Sequence, residues 1–94
     1  MSPKQAAVNK LWRIVTDDRA IEENFTCQWC HGPGQRTDPK EIFTYLDGHH
    51  IIKRRYNVHT KENCYIAHRL CHGFIEDHNI DVSIYPDKEA WEAQ

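Results

Sequence analysis

Asp47-Gly48-His49-His50-Ile51-Ile52 places two adjacent imidazoles between a short polar turn and two β-branched apolar residues. The preceding run, Ile42-Phe43-Thr44-Tyr45-Leu46, reads as a strand, and Gly48 as a bulge or a close backbone approach. On an extended backbone, neighbouring side chains point to opposite sides. His49 and His50 are therefore expected to do different jobs, one facing a metal and the other a substrate. Two surface histidines that happen to be adjacent would also account for the stretch, because a His pair alone is a weak signal. The surrounding chain decides between these readings.

Downstream, Asn63-Cys64-Tyr65-Ile66-Ala67 predicts a second strand. It is joined to the first by a basic, polar connection from Lys53 to Glu62, too long for a tight turn. A helix is expected to start within His68-Arg69-Leu70-Cys71-His72 and to end near Asn79, a residue suited to the C′ position. Upstream, Cys27-Gln28-Trp29-Cys30-His31-Gly32-Pro33-Gly34 reads as a knuckle. Two thiolates two residues apart, followed by a Gly/Pro turn, suit tetrahedral Zn²⁺. A redox Cys-x-x-Cys would need its first Cys to open a helix, and Gly32, Pro33 and Gly34 break any helix at once. His68-x-x-Cys71 supplies two more ligands at the same gap. Cys27, Cys30, His68 and Cys71 thus form a predicted Cys₃His site joining two knuckles far apart in sequence. Zinc held there would close the intervening loop and supply much of the stability of so small a domain. Cys64, in an apolar strand, is left as a buried thiol outside the metal set.

The 94 residues have room for one domain, residues 1–94. It divides into a helical extension (1–24), knuckles and a ββα core (25–79), and a tail (80–94). Met1 to Lys10 carries no apolar signal-peptide core, and no run approaches a membrane span. The expected setting is a reducing cytoplasm with no membrane association, where Cys-x-x-Cys more often binds metal than forms a disulfide. Twelve basic and fourteen acidic residues give a net charge of −2, so overall charge gives no signal for nucleic acid. The distribution does. Between His49 and His72, Lys53, Arg54, Arg55, Lys61 and Arg69 stand against the single acid Glu62, and five of the seven histidines lie in the same window.

Ser2-Pro3-Lys4-Gln5 has the form of a capping box with Pro at the first helical position. Val8, Leu11, Trp12 and Val15 then give one apolar helical face. The helix is expected to break near Thr16-Asp17-Asp18, to resume as a short turn towards Asn24, and to pack on the core without doing chemistry. At the other end, Val82 to Tyr85 reads as a short strand and Pro86 to Trp91 as a last helical turn, with Trp91 packed back on the body.

His72 directly follows Cys71. At about 100° per residue its side chain leaves the helix on a different side, towards the strand that carries His49. Two imidazoles with open positions can hold a divalent cation that binds a phosphate, and the other histidine of the pair is then free to act as a base.

As a set, Cys-x-x-Cys, Asp-Gly-His-His-Ile-Ile, Thr-x-x-Asn and His-x-x-Cys-His resemble the HNH endonuclease family from Cys27 to His78. The resemblance implies an α+β fold of the small, treble-clef-like ββα-metal kind, stabilised by zinc between two knuckles, here with an added N-terminal helix. It implies His50 as general base and His49 as the preceding metal ligand, a position that is Asp in many members and His in the nuclease colicins. Asn63 matches the middle Asn that fixes the loop holding the base, and His72 matches the metal ligand on the helix. His68 stands at a zinc position where Cys is usual, which still suits zinc. Some relatives carry a further His four residues beyond the helix ligand. Glu76 occupies that position here, and a plain surface acid is the preferred reading of it over a further ligand.

The implied activity is hydrolysis of DNA phosphodiester bonds, as a nick or a double-strand cut, leaving a 5′ phosphate and a 3′ hydroxyl. Mg²⁺, Mn²⁺ or Ni²⁺ would be the catalytic cation, and Lys53, Arg54 and Arg55 would hold phosphates without reading sequence. Small stand-alone members are common in bacteriophages, where they assist genome packaging or recombination. The resemblance therefore also implies DNA and terminase-type packaging proteins as partners, in the cytoplasm of a bacterial host. The other reading is a non-catalytic zinc module that binds nucleic acid or a partner protein. It explains the knuckles and the basic loop but gives no reason for His49, His50 and His72 together.

Overall fold

The computed structural model describes residues 2–94; Met1, at the head of the predicted helical extension, lies outside them. Helix α1 spans Pro3–Glu22, strands β1 and β2 span Leu46–His50 and Cys64–His68, and helices α2 and α3 span Arg69–Asp77 and Lys88–Glu92. The result is a small α+β fold with a two-stranded antiparallel sheet and three helices. No helix among the described residues is long and apolar enough to cross a membrane.

α1 starts as its sequence predicts, with Ser2 Oγ accepting from the Gln5 N–H at 3.1 Å and Pro3 in the first turn. The Gln5 side-chain NH₂ donates to Asn9 Oδ1 at 2.9 Å, one turn further along the helix. The expected break at Thr16-Asp17-Asp18 does not occur, and the helix runs unbroken for 20 residues. Nothing there forces a break. Thr16 returns its hydroxyl to the Trp12 carbonyl at 2.7 Å, and Asp17 accepts from Arg36 at 2.8 Å. The buried face is also rotated from the expected one: Val15, Thr16 and Ala20 are buried, whereas Leu11 is 46 % exposed.

The first strand lies further along the chain than predicted. Ile42 to Tyr45 turn back on Glu41, whose carbonyl accepts from the N–H groups of Thr44 and Tyr45, and Phe43 is exposed. β1 is instead Leu46–His50, a segment holding Asp and Gly, paired in continuous register from Leu46 opposite His68 to His50 opposite Cys64. Strand preference is set mainly by what the strand packs against, and here the partner overrides composition. Arg36 pins the start of β1, donating to the Leu46 carbonyl at 2.7 Å and to the Tyr45 hydroxyl at 2.9 Å.

Continuous register means Gly48 is no bulge. It is a close approach: a Cβ there would collide with the Thr16 hydroxyl and meet Cys64 Sγ at 3.0 Å. α1 therefore lies against the sheet face of Gly48, His50 and Cys64, and α2 against the face of Asp47, His49 and Tyr65. Every residue of β2 is buried between them, and Leu46, Ile66, Ala67 and Ile75 make a fully buried centre. α2 ends as expected, with His78 at its cap and Asn79 in the left-handed region at φ 51°. No strand forms at Val82 to Tyr85; a turn stands there instead, with Val82 buried. α3 follows, capped by Asp87, and Trp91 packs back on Trp29 and Phe74.

Candidate functional site

Two donor clusters stand at opposite ends of the same strand pair. In the first, ligand atoms of Cys27, Cys30, His68 and Cys71 all lie within 4.8 Å of one another, close enough to hold a metal ion. The knuckle turn that presents Cys27 and Cys30 is closed by the Cys27 N–H donating to the Gly32 carbonyl at 2.9 Å. His68 ends β2, and Cys71 follows on the first turn of α2. The donor chemistry suits zinc. His68 Nε2 lies 2.8 Å from the Pro33 carbonyl, which can only accept, so that nitrogen carries the hydrogen. Nδ1 is then bare, and it faces Cys30 Sγ at 3.2 Å and Cys71 Sγ at 3.9 Å. An imidazole fixed by a carbonyl on one nitrogen, with a lone pair on the other, is the usual state of a metal-bound histidine.

The sulfur of Cys27 is prepared in the same way. A hydrogen bond with Cys71 holds its thiol far below the ordinary range, at about 4, against the opposing effect of burial. Backbone N–H groups of Cys30 and His68 add to this, reaching the sulfur at 3.5 and 3.3 Å. The same bond pushes Cys71 up, so the pair shares one negative charge in the absence of a cation. Cys64 is separate: buried beside Thr16, with burial raising its thiol to about 11.

The second cluster is His49, His72 and Glu76, whose ligand atoms also lie within 4.8 Å of one another. His49 projects from β1 and His72 and Glu76 from successive turns of α2, with the imidazoles of His49 and His72 5.1 Å apart. Glu76 Oε1 lies 2.7 Å from His72 Nε2 and 3.8 Å from His49 Nδ1. Glu76 is thus part of the cluster, although its side chain is 61 % exposed, as a surface acid would be. Asp47 completes the set from behind, with Oδ2 at 3.4 Å from His72 Nδ1 while Arg69 approaches the same carboxylate. A carboxylate, an imidazole and then an open ligand position is an arrangement that orients metal-binding histidines. Sequence reading assigned Asp47 no role, though its place two residues before His49, on the same face of an extended strand, was a usable signal.

The charges of this cluster follow from its neighbours. Burial works against a positive His72, but Asp47 and Glu76 outweigh it and its pKa is raised. Burial lowers that of His49, and the nearby His72 adds to the effect. Burial would also raise Asp47, yet His72 and Arg69 prevail and its carboxyl is lowered.

His50 takes the opposite face, as strand alternation requires. Its ring stacks on Trp12 of α1 at 3.6 Å between centroids, 14° from parallel, and its Nε2 lies 3.1 Å from His59 Nδ1. Burial, then the neighbouring His59 and Arg54, depress its pKa to about 4, so the ring is neutral at neutral pH. Trp12 is itself fixed by donating to the Gly48 carbonyl at 3.2 Å. α1 therefore builds a wall of the site, contrary to the expectation that it only packs.

Asn63 holds the connection in place. Its Nδ2 donates to the carbonyls of Ile52 at 3.0 Å and Val58 at 2.8 Å, and its oxygen accepts from the Ile52 N–H. Trp12, His49, His50, His72 and Glu76 line one cleft of about 350 Å³, with Lys53 and Arg54 at its rim. Arg54 donates to Asn9 of α1. Arg55 turns away, over the ring of Tyr56, and lines a different depression. The three predicted phosphate-holding residues are thus not one group. His78 also stays apart, stacked on Phe74. No family model matches the chain, and no curated protein or solved structure does.

Proposed function

We propose that this chain is a DNA endonuclease of the HNH type, with structural zinc on Cys27, Cys30, His68 and Cys71 and a second, catalytic divalent cation on His49 and His72. One observation carries the reading: adjacent residues of β1 go to opposite sides, His49 into a three-donor cluster with His72 and Glu76, and His50 against the Trp12 ring at the same cleft. A zinc module that only binds would need neither that division nor a neutral imidazole beside two basic side chains.

His50 would accept a proton from water at Nδ1, since its Nε2 is engaged by His59. The water oxygen forms the new bond to phosphorus, the bond to the 3′ oxygen breaks, and that oxygen leaves with its electron pair and takes a proton from solvent. His49 and His72 would hold a divalent cation, which would supply Lewis-acid stabilisation of the developing negative charge. Glu76 becomes a third ligand in this reading rather than a plain surface acid. Lys53 and Arg54 would hold the flanking phosphates, and Asn63 keeps the loop that carries them in register with His50. Phage packaging proteins as partners belong to this proposal as part of the family resemblance.

The test is incubation of zinc-loaded protein with supercoiled plasmid, with and without added Mg²⁺, Mn²⁺ or Ni²⁺. Conversion to nicked or linear forms that requires the added cation and is lost in His50→Ala supports the proposal. Plasmid binding without cleavage at any cation concentration replaces it with the non-catalytic zinc module.

A further inference from the structure

We infer that His59 sets the tautomer and the ring orientation of His50, an assignment that rests on the general-base reading above. His59 belongs to none of the motifs; it sits in the basic connection between strands. Its Nδ1 lies 3.1 Å from His50 Nε2, and the two rings stand at 79° to each other, so the contact is made edge to edge rather than by stacking. Trp12 meets both rings, His50 face on and His59 at 66°. Asn63 clamps the carbonyl of Val58, the residue before His59, and so fixes where His59 stands.

The contact between the two ring nitrogens holds one hydrogen, donated by one ring and accepted by the other. If His59 donated it, His50 Nδ1 would have to carry the other hydrogen and could accept nothing. If His50 donates from Nε2, its Nδ1 keeps a lone pair. Only this second arrangement serves a base both before and after proton uptake, because the imidazolium then has two N–H groups and Nε2–H already faces an acceptor. The reaction then requires no rearrangement of the ring.

The arrangement places the hydrogen of His59 on Nε2. Among the described residues, that nitrogen is the one buried side-chain polar atom with no hydrogen-bond partner. A phenyl ring would fill the same space without the unpartnered nitrogen, so packing alone gives no reason for an imidazole here. What the imidazole adds is the acceptor at Nδ1. His59 is thus a positioning residue, acting through His50 and not on the substrate.

The experiment compares zinc-loaded parent, His59→Phe and His59→Asn, the last placing an amide oxygen near the Nδ1 position. It reads plasmid cleavage with added Mg²⁺ and the ring ¹⁵N signals of His50 by NMR. The parent should show hydrogen on Nε2 of His50. His59→Phe should show mixed tautomers and a cleavage rate lower by roughly tenfold or more, with zinc content unchanged. His59→Asn should restore both towards the parent. If His59→Phe keeps the parent tautomer and rate, the inference is overturned while the nuclease reading stands. If the parent cuts no plasmid, the general-base reading falls, and the NMR comparison still decides whether His59 controls His50: an unchanged tautomer overturns it and a shifted one supports it. Should His59→Phe fail to fold, His59→Asn decides, and hydrogen on Nδ1 of His50 in that variant or the parent overturns the inference.

Discussion

The Cys27, Cys30, His68, Cys71 cluster and the His49, His72, Glu76 cluster use the same strand pair and the same helix, yet differ in each property to which a metal responds. The first has four donors, three of them sulfur, with Cys27 and His68 buried, Cys30 exposed, and Cys27 and His68 held by backbone N–H groups and a carbonyl. The second has three donors, none of them sulfur, with one carboxylate largely exposed at the edge of a cleft. A closed, soft tetrad suits an ion that never leaves; an open, harder triad leaves positions for exchangeable ligands. Donor number and softness, rather than position in the fold, set the two clusters apart.

The strongest way to break the comparison is to damage the tetrad. Cys27→Ser or Cys71→Ser should leave the domain unfolded or molten, seen as loss of zinc and of the near-ultraviolet dichroism of its tryptophans, because metal-binding energy is folding energy in such modules. Cys64→Ser, outside the tetrad, should keep its zinc. If Cys64→Ser lost zinc while Cys30→Ser kept it, the ligand assignment would be wrong.

Next in size is the proposed base, His50. His50→Ala should lower plasmid cleavage by roughly 10²–10⁴-fold while zinc, cation and DNA still bind. His49→Ala should cost less and differ in kind: a ligand is lost, so a cation titration should recover part of the activity. Rescue of His50→Ala by metal, and not of His49→Ala, would reverse the two roles. A smaller effect again separates the basic residues. Arg54→Glu should weaken DNA binding and flatten its salt dependence more than Arg55→Glu, since only Arg54 borders the cleft. Equal effects would move the DNA path across the Arg55 face.

The smallest effect is the pH response of His72. Asp47 and Glu76 hold its pKa above the usual value, so their pairing stabilises the cation-free fold fully below the unfolded value of about 6.5 and is lost as pH rises through the raised value. Cation binding runs the other way, because it competes with that proton and strengthens as pH rises. Melting of zinc-loaded protein with and without Mg²⁺, between about pH 5.5 and about pH 8, should show the Mg²⁺ stabilisation growing with pH. A stabilisation that shrinks with pH would remove His72 from the cation site.

Legibility in the sequence followed the range of the interaction. Cys27 with Cys30, and His68 with Cys71, were readable because knuckle geometry imposes a short local gap, and the structure brings all four together. The opposite placement of His49 and His50 was readable from strand alternation alone, even though β1 itself was placed four residues too early. What failed was non-local. Ile42 to Tyr45 have the composition of a strand but end in a single isolated bridge between Tyr45 and Gln35, whereas Asp47 and Gly48 lie in a strand because β2 pairs with them and α1 packs on them. Thr16-Asp17-Asp18 looked like a helix end because three polar residues follow one another, yet Arg36, nineteen positions on, satisfies Asp17. Trp12 does pack against the core, as its helical face predicts, but its part in the cleft is non-local. Its contacts with Gly48 and His50 span 36 and 38 positions, which no local pattern can report.

The join between β2 and α2 has a consequence for how the molecule comes into being. His68 is the last residue of the strand, Arg69 begins the helix, and His72 sits one turn in, immediately after Cys71. The two candidate metal sites are therefore wired in series and not in parallel. Cys71 would anchor the turn of helix that aims His72 at His49, adding to the hold of the Arg69 N–H on the Tyr45 carbonyl, whereas emptying the cleft would leave that anchor untouched. Zinc supply would act as an upstream gate: a chain made under zinc scarcity would lack the cleft itself as well as its stability, and no excess of the second cation would make up for it.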